Sequence, residues 1–353
     1  MSVMKLLVAL TILAAASAVS QAQLVTDITP QEIVNKARAR TVVYLETFKN
    51  LLSEEKKTFE IYDAKGVAKK KKVVDSTFLV YQLTKDQGRV AEFRNVIAVD
   101  GKKVADADSR AKEFFEKVVA SDNPQKEFER IRDESSRFDE DFAISGLTLF
   151  QAIALSEVLR GRFRYTMAGR EMLGGKSVYV MLYEQIHPDP SIAVNTPTAS
   201  NNYDIEIDGS KDVELNTRVK GKLWIDAETF NIRRELRERT IKPAGVVQPI
   251  VVAENVLDYA ESAFGILTPK TLSHLQYRVR LSDGVATKDT RIVFEYGKFT
   301  QPDVEVKGEV KDKTESPLRS DRSLSPQQGR SAELRLPTPV FPSGISQAQR
   351  PRR

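Results

Sequence analysis

The sequence predicts an α+β protein built on an antiparallel sheet, and three observations carry that prediction. The stretch 219–239 reads as one amphipathic hairpin, the helical patterns sit in groups between early and late strands, and after Arg160 nearly every patterned run is strand-like. In the hairpin, Asp226, Ala227, Glu228 and Thr229 form the turn between two alternating runs. In the first arm Val219, Leu223 and Ile225 face one way and Arg218, Lys220, Lys222 and Trp224 the other. In the second, Ile232 and Leu236 alternate with Arg233, Glu235, Arg237 and Arg239. One face is apolar and the other charged, the pattern of a sheet that covers a core or cavity on one side only.

Both ends stand apart from this body. Lys5, the apolar run 6–16 and the small residues up to Ala22 make the three-part pattern of a secretory signal peptide over 1–22. The apolar run is too short for a bilayer core, which needs about 20 residues. The chain has no cysteine, which excludes disulfides, thiolate metal sites and a lipidated cysteine beside the cleavage point. The expectation is a cleaved, periplasmic or secreted monomer with no transmembrane segment. From 301 to 353 seven prolines punctuate a Ser-, Gln- and Arg-rich tail whose only aromatic residue is Phe341. Such a segment buries too little apolar surface to offset the entropy of ordering, so a disordered tail is expected. One domain then spans 23–300.

The body opens with a helix. Thr29, Pro30 and Glu32 supply a capping hydroxyl, a proline at the first helical position and the reciprocal carboxylate. Ile33, Ala37, Tyr44, Phe48 and Leu52 continue as one apolar stripe. Strands are expected at 58–62, 73–83 and 90–99, the last ending on the tight-turn pair Asp100 and Gly101. Both faces of 77–83 are apolar, as in a strand inside the sheet. Helical spacing returns at Ala111, Phe114, Phe115, Val118 and Val119, restarts after Asn123 and Pro124, and is expected again over 149–159. Runs 163–167 and 178–182 then flank Gly174 and Gly175 as a hairpin, and 188–211 is a long polar loop. Strands at 251–259, 271–281 and 291–296 complete the body.

No motif carries chemistry. Gly174, Gly175, Lys176 and Ser177 look like a phosphate loop, but Arg170 stands where its first glycine belongs and strands flank it on both sides. The two histidines, His187 and His274, share no spacing; His187 precedes a proline and His274 sits on the polar face of its strand, so both read as surface residues. No G-x-S-x-G elbow supports a hydrolase. The acidic groups 139–141 and Asp204, Glu206, Asp208 lack a calcium-loop pattern and read as solvated faces. No enzyme activity, metal or cofactor is expected. The net charge of +5 is mild. The run Lys69 to Lys72 has no interleaved aromatics for base stacking, so no nucleic acid is expected and the run reads as a solvated hairpin turn. Trp224 either packs under its basic neighbours or contacts a partner.

Gly221, Lys222, Leu223, Trp224, Ile225 and Asp226, followed by Thr229 and by Ile232 and Arg233, resemble the hairpin of LolA/LolB-like exported proteins. Gly265 to Lys270 and the run Tyr296, Gly297, Lys298, Phe299 resemble late features of the same group. The resemblance implies an open, incomplete antiparallel β-barrel with helices covering its concave face, and a cavity for a lipid or lipoprotein acyl chain. On that architecture Tyr44, Phe48, Leu223, Ile225, Leu236, Tyr277 and Phe294 are the candidate lining. The same residues also fit a dry core, and both readings stand open. The alternative function is an interaction module that recognises an envelope protein or polysaccharide through the charged face, with Trp224 in contact.

Overall fold

The computed structural model describes residues 28–49, 51–82, 90–119, 123–139, 148, 151–157, 159–188, 207–208, 216–280 and 283–301. They belong to one compact unit, Met1–Asp303; a second unit, Val304–Arg353, lies outside them. The expected signal peptide, the tail beyond Gln301 and most of the 188–211 loop therefore also fall outside the described residues.

Helix α1 (Pro30–Phe48) starts on the expected capping box, with Thr29 accepting from the Glu32 N–H and Glu32 reaching back to the Thr29 backbone. It ends at Phe48, and Leu52, read as its last apolar residue, already opens strand β1 (Leu52–Tyr62). β2 (Ala68–Gln82) and β3 (Val90–Val99) follow, then the two-residue β4 (Lys102–Lys103). Helices α2 (Ala107–Val119) and α3 (Pro124–Ser135) come next. In place of an α-helix over 149–159 there are two short 3-10 turns, Ile153–Leu155 and Arg160–Arg162. The rest is strand: β5 (Phe163–Leu173), β6 (Lys176–Gln185), β7 (Ile207–Asp208), β8 (Arg218–Asp226), β9 (Ile232–Ile241), β10 (Ile250–Glu261), β11 (Leu267–Arg280) and β12 (Val285–Tyr296).

These strands form one twelve-stranded sheet in the order β4-β3-β2-β1-β12-β11-β10-β9-β8-β6-β5, with β7 paired to β11. Every pairing is antiparallel except the parallel β7–β11 contact. β5 and β4 are its two ends, so the sheet is open. Asp100 and Gly101 (φ 49° and 76°) and Gly174 and Gly175 (φ 58° and 78°) make the tight turns that their sequences demand. The Lys69 to Lys72 run is not a turn; it lies on β2, and the turn before it is 63–67.

Strand alternation divides the sheet into two faces. The inner face carries the main core: Phe59, Phe78, Val80, Leu223, Ile225, Leu257, Leu272 and Phe294, with Tyr44 and Phe48 of α1 packed into it. Tyr44 stacks on Phe48 at 4.9 Å and meets Tyr259 edge-on at 6.1 Å, and Phe48 meets Phe299 at 5.1 Å. Helices α2 and α3 pack elsewhere. Ala91 and Phe93 alternate with the inner-facing Glu92, Arg94 and Val96, and join Phe114, Phe115, Val118 and Ile131 on the opposite face. The same helices close the β3 edge. Ser135 Oγ accepts from the Arg94 N–H and donates to the Glu92 carbonyl, and Arg110 donates to the Val96 carbonyl. Such capping removes backbone groups that would otherwise template a further strand. Among the described residues no helix is long and apolar enough to cross a membrane.

Candidate functional site

The β8–β9 hairpin departs from its expected alternation at one point. Ile225 pairs with Ile232 but Trp224 pairs with Arg234, so Arg233 is an extra residue in β9. A bulge of this kind moves every following side chain to the other face. Glu235, Arg237 and Arg239, read as solvent-facing, are therefore turned inward and are 0%, 6% and 7% exposed. Leu236, read as inward, instead packs on the outer face with Trp224, Val178 and Val180. The candidate lining loses Leu236 for this reason.

Glu235 and Arg237 engage each other. Arg237 donates Nε and Nη2 to the two carboxylate oxygens of Glu235 at 2.9 and 3.0 Å, and Tyr183 Oη donates to Glu235 Oε1 at 2.9 Å. The Ala152 N–H completes the set at 3.0 Å on Glu235 Oε2. Gly221 makes room for this arrangement: a Cβ there would lie 2.4 Å from the Tyr183 ring and 2.1 Å from the Leu236 carbonyl oxygen. Burial opposes the charge of Arg237, but Glu235 outweighs it and holds its pKa above the ordinary value. Burial, with Glu235 beside it, pushes the Tyr183 hydroxyl well up, so it stays a donor.

A second network occupies the other half of the inner face. Arg94 grips Glu55 through Nε and Nη2 at 2.7 and 2.9 Å and Glu92 through Nη1 at 2.9 Å. Its guanidinium lies 5.0 Å from the Phe78 ring and 5.4 Å from that of Phe294. The Thr148 N–H donates to Glu92, its hydroxyl shares a hydrogen bond with Tyr296, and its carbonyl accepts from Tyr44. Lys57 pairs with Asp139. Burial pulls the Lys57 ammonium below its ordinary pKa, with Asp139 acting against the shift. Asp139, read as part of a solvated acidic face, is thus a buried partner; the rest of that group lies outside the described residues.

Of the seven candidate lining residues, Tyr44, Phe48, Leu223, Ile225 and Phe294 converge in the main core, each at most 1% exposed. Tyr277 does not join them: it alternates with the inward Gln276 and lies near Glu254 and Glu238 on the outer face. Trp224, the candidate partner contact, is 8% exposed. Its indole N–H donates to Glu171, and Lys222 and Arg234 lie over its ring at 4.3 and 5.7 Å. It packs under its basic neighbours, and a partner would meet their stems first. His187 is exposed as expected. His274 is not a surface residue: it points inward, 2% exposed, and its Nδ1 bonds Asn255 at 2.7 Å.

The buried charges are what the sequence reading missed. A signal was present: Glu55 and Lys57, Glu92 and Arg94, and Glu235 and Arg237 each place opposite charges two apart on a strand, hence on one face. Glu92 with Arg94 and Glu235 with Arg237 satisfy each other on the buried face, while Glu55 is bound by Arg94 and Lys57 by Asp139.

The site is thus a largely apolar sheet face, on which Arg94 and Arg237 are paired with carboxylates of the sheet, beneath α1 and the 151–155 segment. No family model matches the chain, and no curated protein does. Among solved structures it is similar to a LolA superfamily protein from Nitrosomonas europaea (9% identity, 78% of this chain and 95% of that one, TM-score 0.31). It is also similar to a putative outer membrane lipoprotein-sorting protein domain from Vibrio parahaemolyticus (9%, 79% and 96%, 0.31) and to lipoprotein LppX from Mycobacterium tuberculosis (11%, 76% and 95%, 0.24).

Proposed function

We propose that the protein is an exported, non-enzymatic binder of an apolar or amphipathic envelope ligand, a lipid or lipoprotein acyl chain, held between the inner sheet face and its cover. The cover is α1 together with residues 151–155. One observation supports this above the others: Arg94 and Arg237 find their carboxylates on the sheet itself, while the cover adds mostly apolar side chains. Glu55 and Arg94, Glu92 and Arg94, and Glu235 and Arg237 all lie on β1, β3 and β9, so lifting the cover leaves these pairs made. The cover itself contributes Tyr44, Phe48, Ala152, Ala154 and Leu155 to the core. An acyl chain replacing these contacts keeps apolar surface out of water, so the exchange is near balance at about 25 cal/mol per Å² on either side. The polar ties that must give way include Tyr44 to Thr148, Arg40 to Asn231 and the Gly265 carbonyl, Gln151 to the Ile232 carbonyl, Ala152 to Glu235, and Tyr165 to the Ala154 carbonyl.

The test compares Leu223→Trp on the inner face with Leu236→Trp on the outer. Uptake of a fluorescent fatty acid should fall with the first and persist with the second, both retaining the wild-type circular dichroism. A dry core predicts no uptake in any form and a loss of about 1–3 kcal/mol for the inner variant through overpacking.

A further inference from the structure

We propose that the β1–β2 hairpin is a docking element for an anionic bilayer surface. Its turn is tightly made. Asp63 Oδ1 accepts the N–H groups of Lys65 and Val67, both at 2.9 Å, while Asp63 and Gly66 close the backbone ring at 2.9 Å. The one acidic side chain of the segment is thereby spent on the turn. Residues 63–72 hold five lysines against this single aspartate, a formal +4 where the whole chain carries +5. Lys65, Lys69 and Lys71 are exposed. Lys69 and Lys71 alternate with Lys70 and Lys72, so cationic side chains leave both sides of the strand. Lys288 of β12, also exposed, brings a further ammonium beside the hairpin, 5.8 Å from the Tyr62 ring.

In the middle of these lysines Val67 is 60% exposed at the turn. An apolar side chain ringed by lysines matches the layered chemistry of a bilayer interface. The valine enters the acyl boundary while lysine stems follow it and keep their ammonium groups at the phosphates. A soluble polyanion would engage the lysines and leave Val67 in water. A nucleic acid would call for aromatic platforms between the basic residues, and 63–72 contains none. This surface lies outside the binding face proposed above and does not depend on it.

Vesicle flotation of the purified full chain tests the proposal, using phosphatidylglycerol-containing vesicles against pure phosphatidylcholine. Binding is expected to the anionic vesicles alone and should weaken as salt is raised. Each lysine near an anionic surface is worth roughly fivefold, so Lys69→Glu with Lys71→Glu should cost about 25-fold or more. The same charge change on α2, Lys112→Glu with Lys117→Glu, should leave binding within about twofold, since α2 packs against β3 and not against the hairpin turn. Val67→Ser should weaken binding without altering its salt slope. Equal binding to both vesicle types, or an unaffected Lys69→Glu/Lys71→Glu protein, would overturn the proposal. So would a Val67→Ser protein that binds as wild type while soluble dextran sulfate competes fully, because the occupant would then be a polyanion.

Discussion

On the inner side of β9, Glu235 and Arg237 are 0% and 6% exposed and share two hydrogen bonds. On its outer side, Arg234 meets Asp258 with side chains 36% and 27% exposed, and Lys220 meets Glu238 at 44% and 21%. The residue types are the same, and the dielectric around them is not. Outside, water already solvates each partner and the pair adds little. Inside, each charge has given up its hydration, and the partner's loss would strand it. Removing one partner of an inner pair is therefore costly, whereas removing one partner of an outer pair is cheap.

The comparison breaks most visibly at Arg94. Arg94→Met would leave Glu55 and Glu92 buried without their cation and should cost about 3–5 kcal/mol in urea denaturation. An effect below about 1 kcal/mol would mean that water reaches the inner face. Next in size is Gly221→Ala, where the new Cβ must displace the Tyr183 ring or the Leu236 carbonyl. It should cost about 1–3 kcal/mol, and a thermal melt like that of wild type would contradict the packing around Glu235.

His274 sharpens the contrast through pH. Burial pulls its pKa from 6.5 down to about 3. The folded chain holds the imidazole neutral, while the unfolded chain takes up a proton below pH 6.5. Its contribution to stability is therefore complete above that pH and is lost as pH falls toward 3, at up to about 1.4 kcal/mol per unit. The melting temperature of His274→Gln should fall less steeply than that of wild type across this window. Parallel curves would place His274 in water. The smallest effect belongs to the outer face: Arg234→Ala should cost less than about 1 kcal/mol, in contrast to Arg94→Met.

Local chemistry made much of the fold legible. The capping box at Thr29, the turn pairs at Asp100 and Gly174, and the two-sided apolar character of 77–83 each act over a few residues, and each appears where its sequence places it. The candidate lining was legible at Leu223, Ile225 and Phe294, but in β11 the apolar set pointed to the wrong face, because His274 and Gln276 are the inward residues there and Tyr277 is not. It failed beyond Arg233 because a single inserted residue inverts a strand, and nothing in the alternation of 232–239 marks the insertion. The sequence reading also assigned charge to the solvent side by default, which hid Glu55, Arg94, Glu235 and Arg237. Opposite charges two residues apart were the available clue. The helix expected over 149–159 became 3-10 turns starting from a left-handed Ala152, whose N–H is committed to Glu235 rather than to a helical carbonyl.

The central claim is that the inner face takes up an envelope lipid beneath its cover. Native mass spectrometry of the chain beginning at Gln23, gently purified from periplasm, with solvent extraction of the same sample, tests it most directly. The account predicts a lipid adduct near one-to-one occupancy that Leu223→Trp reduces. A bare protein mass together with a lipid-free extract would contradict it.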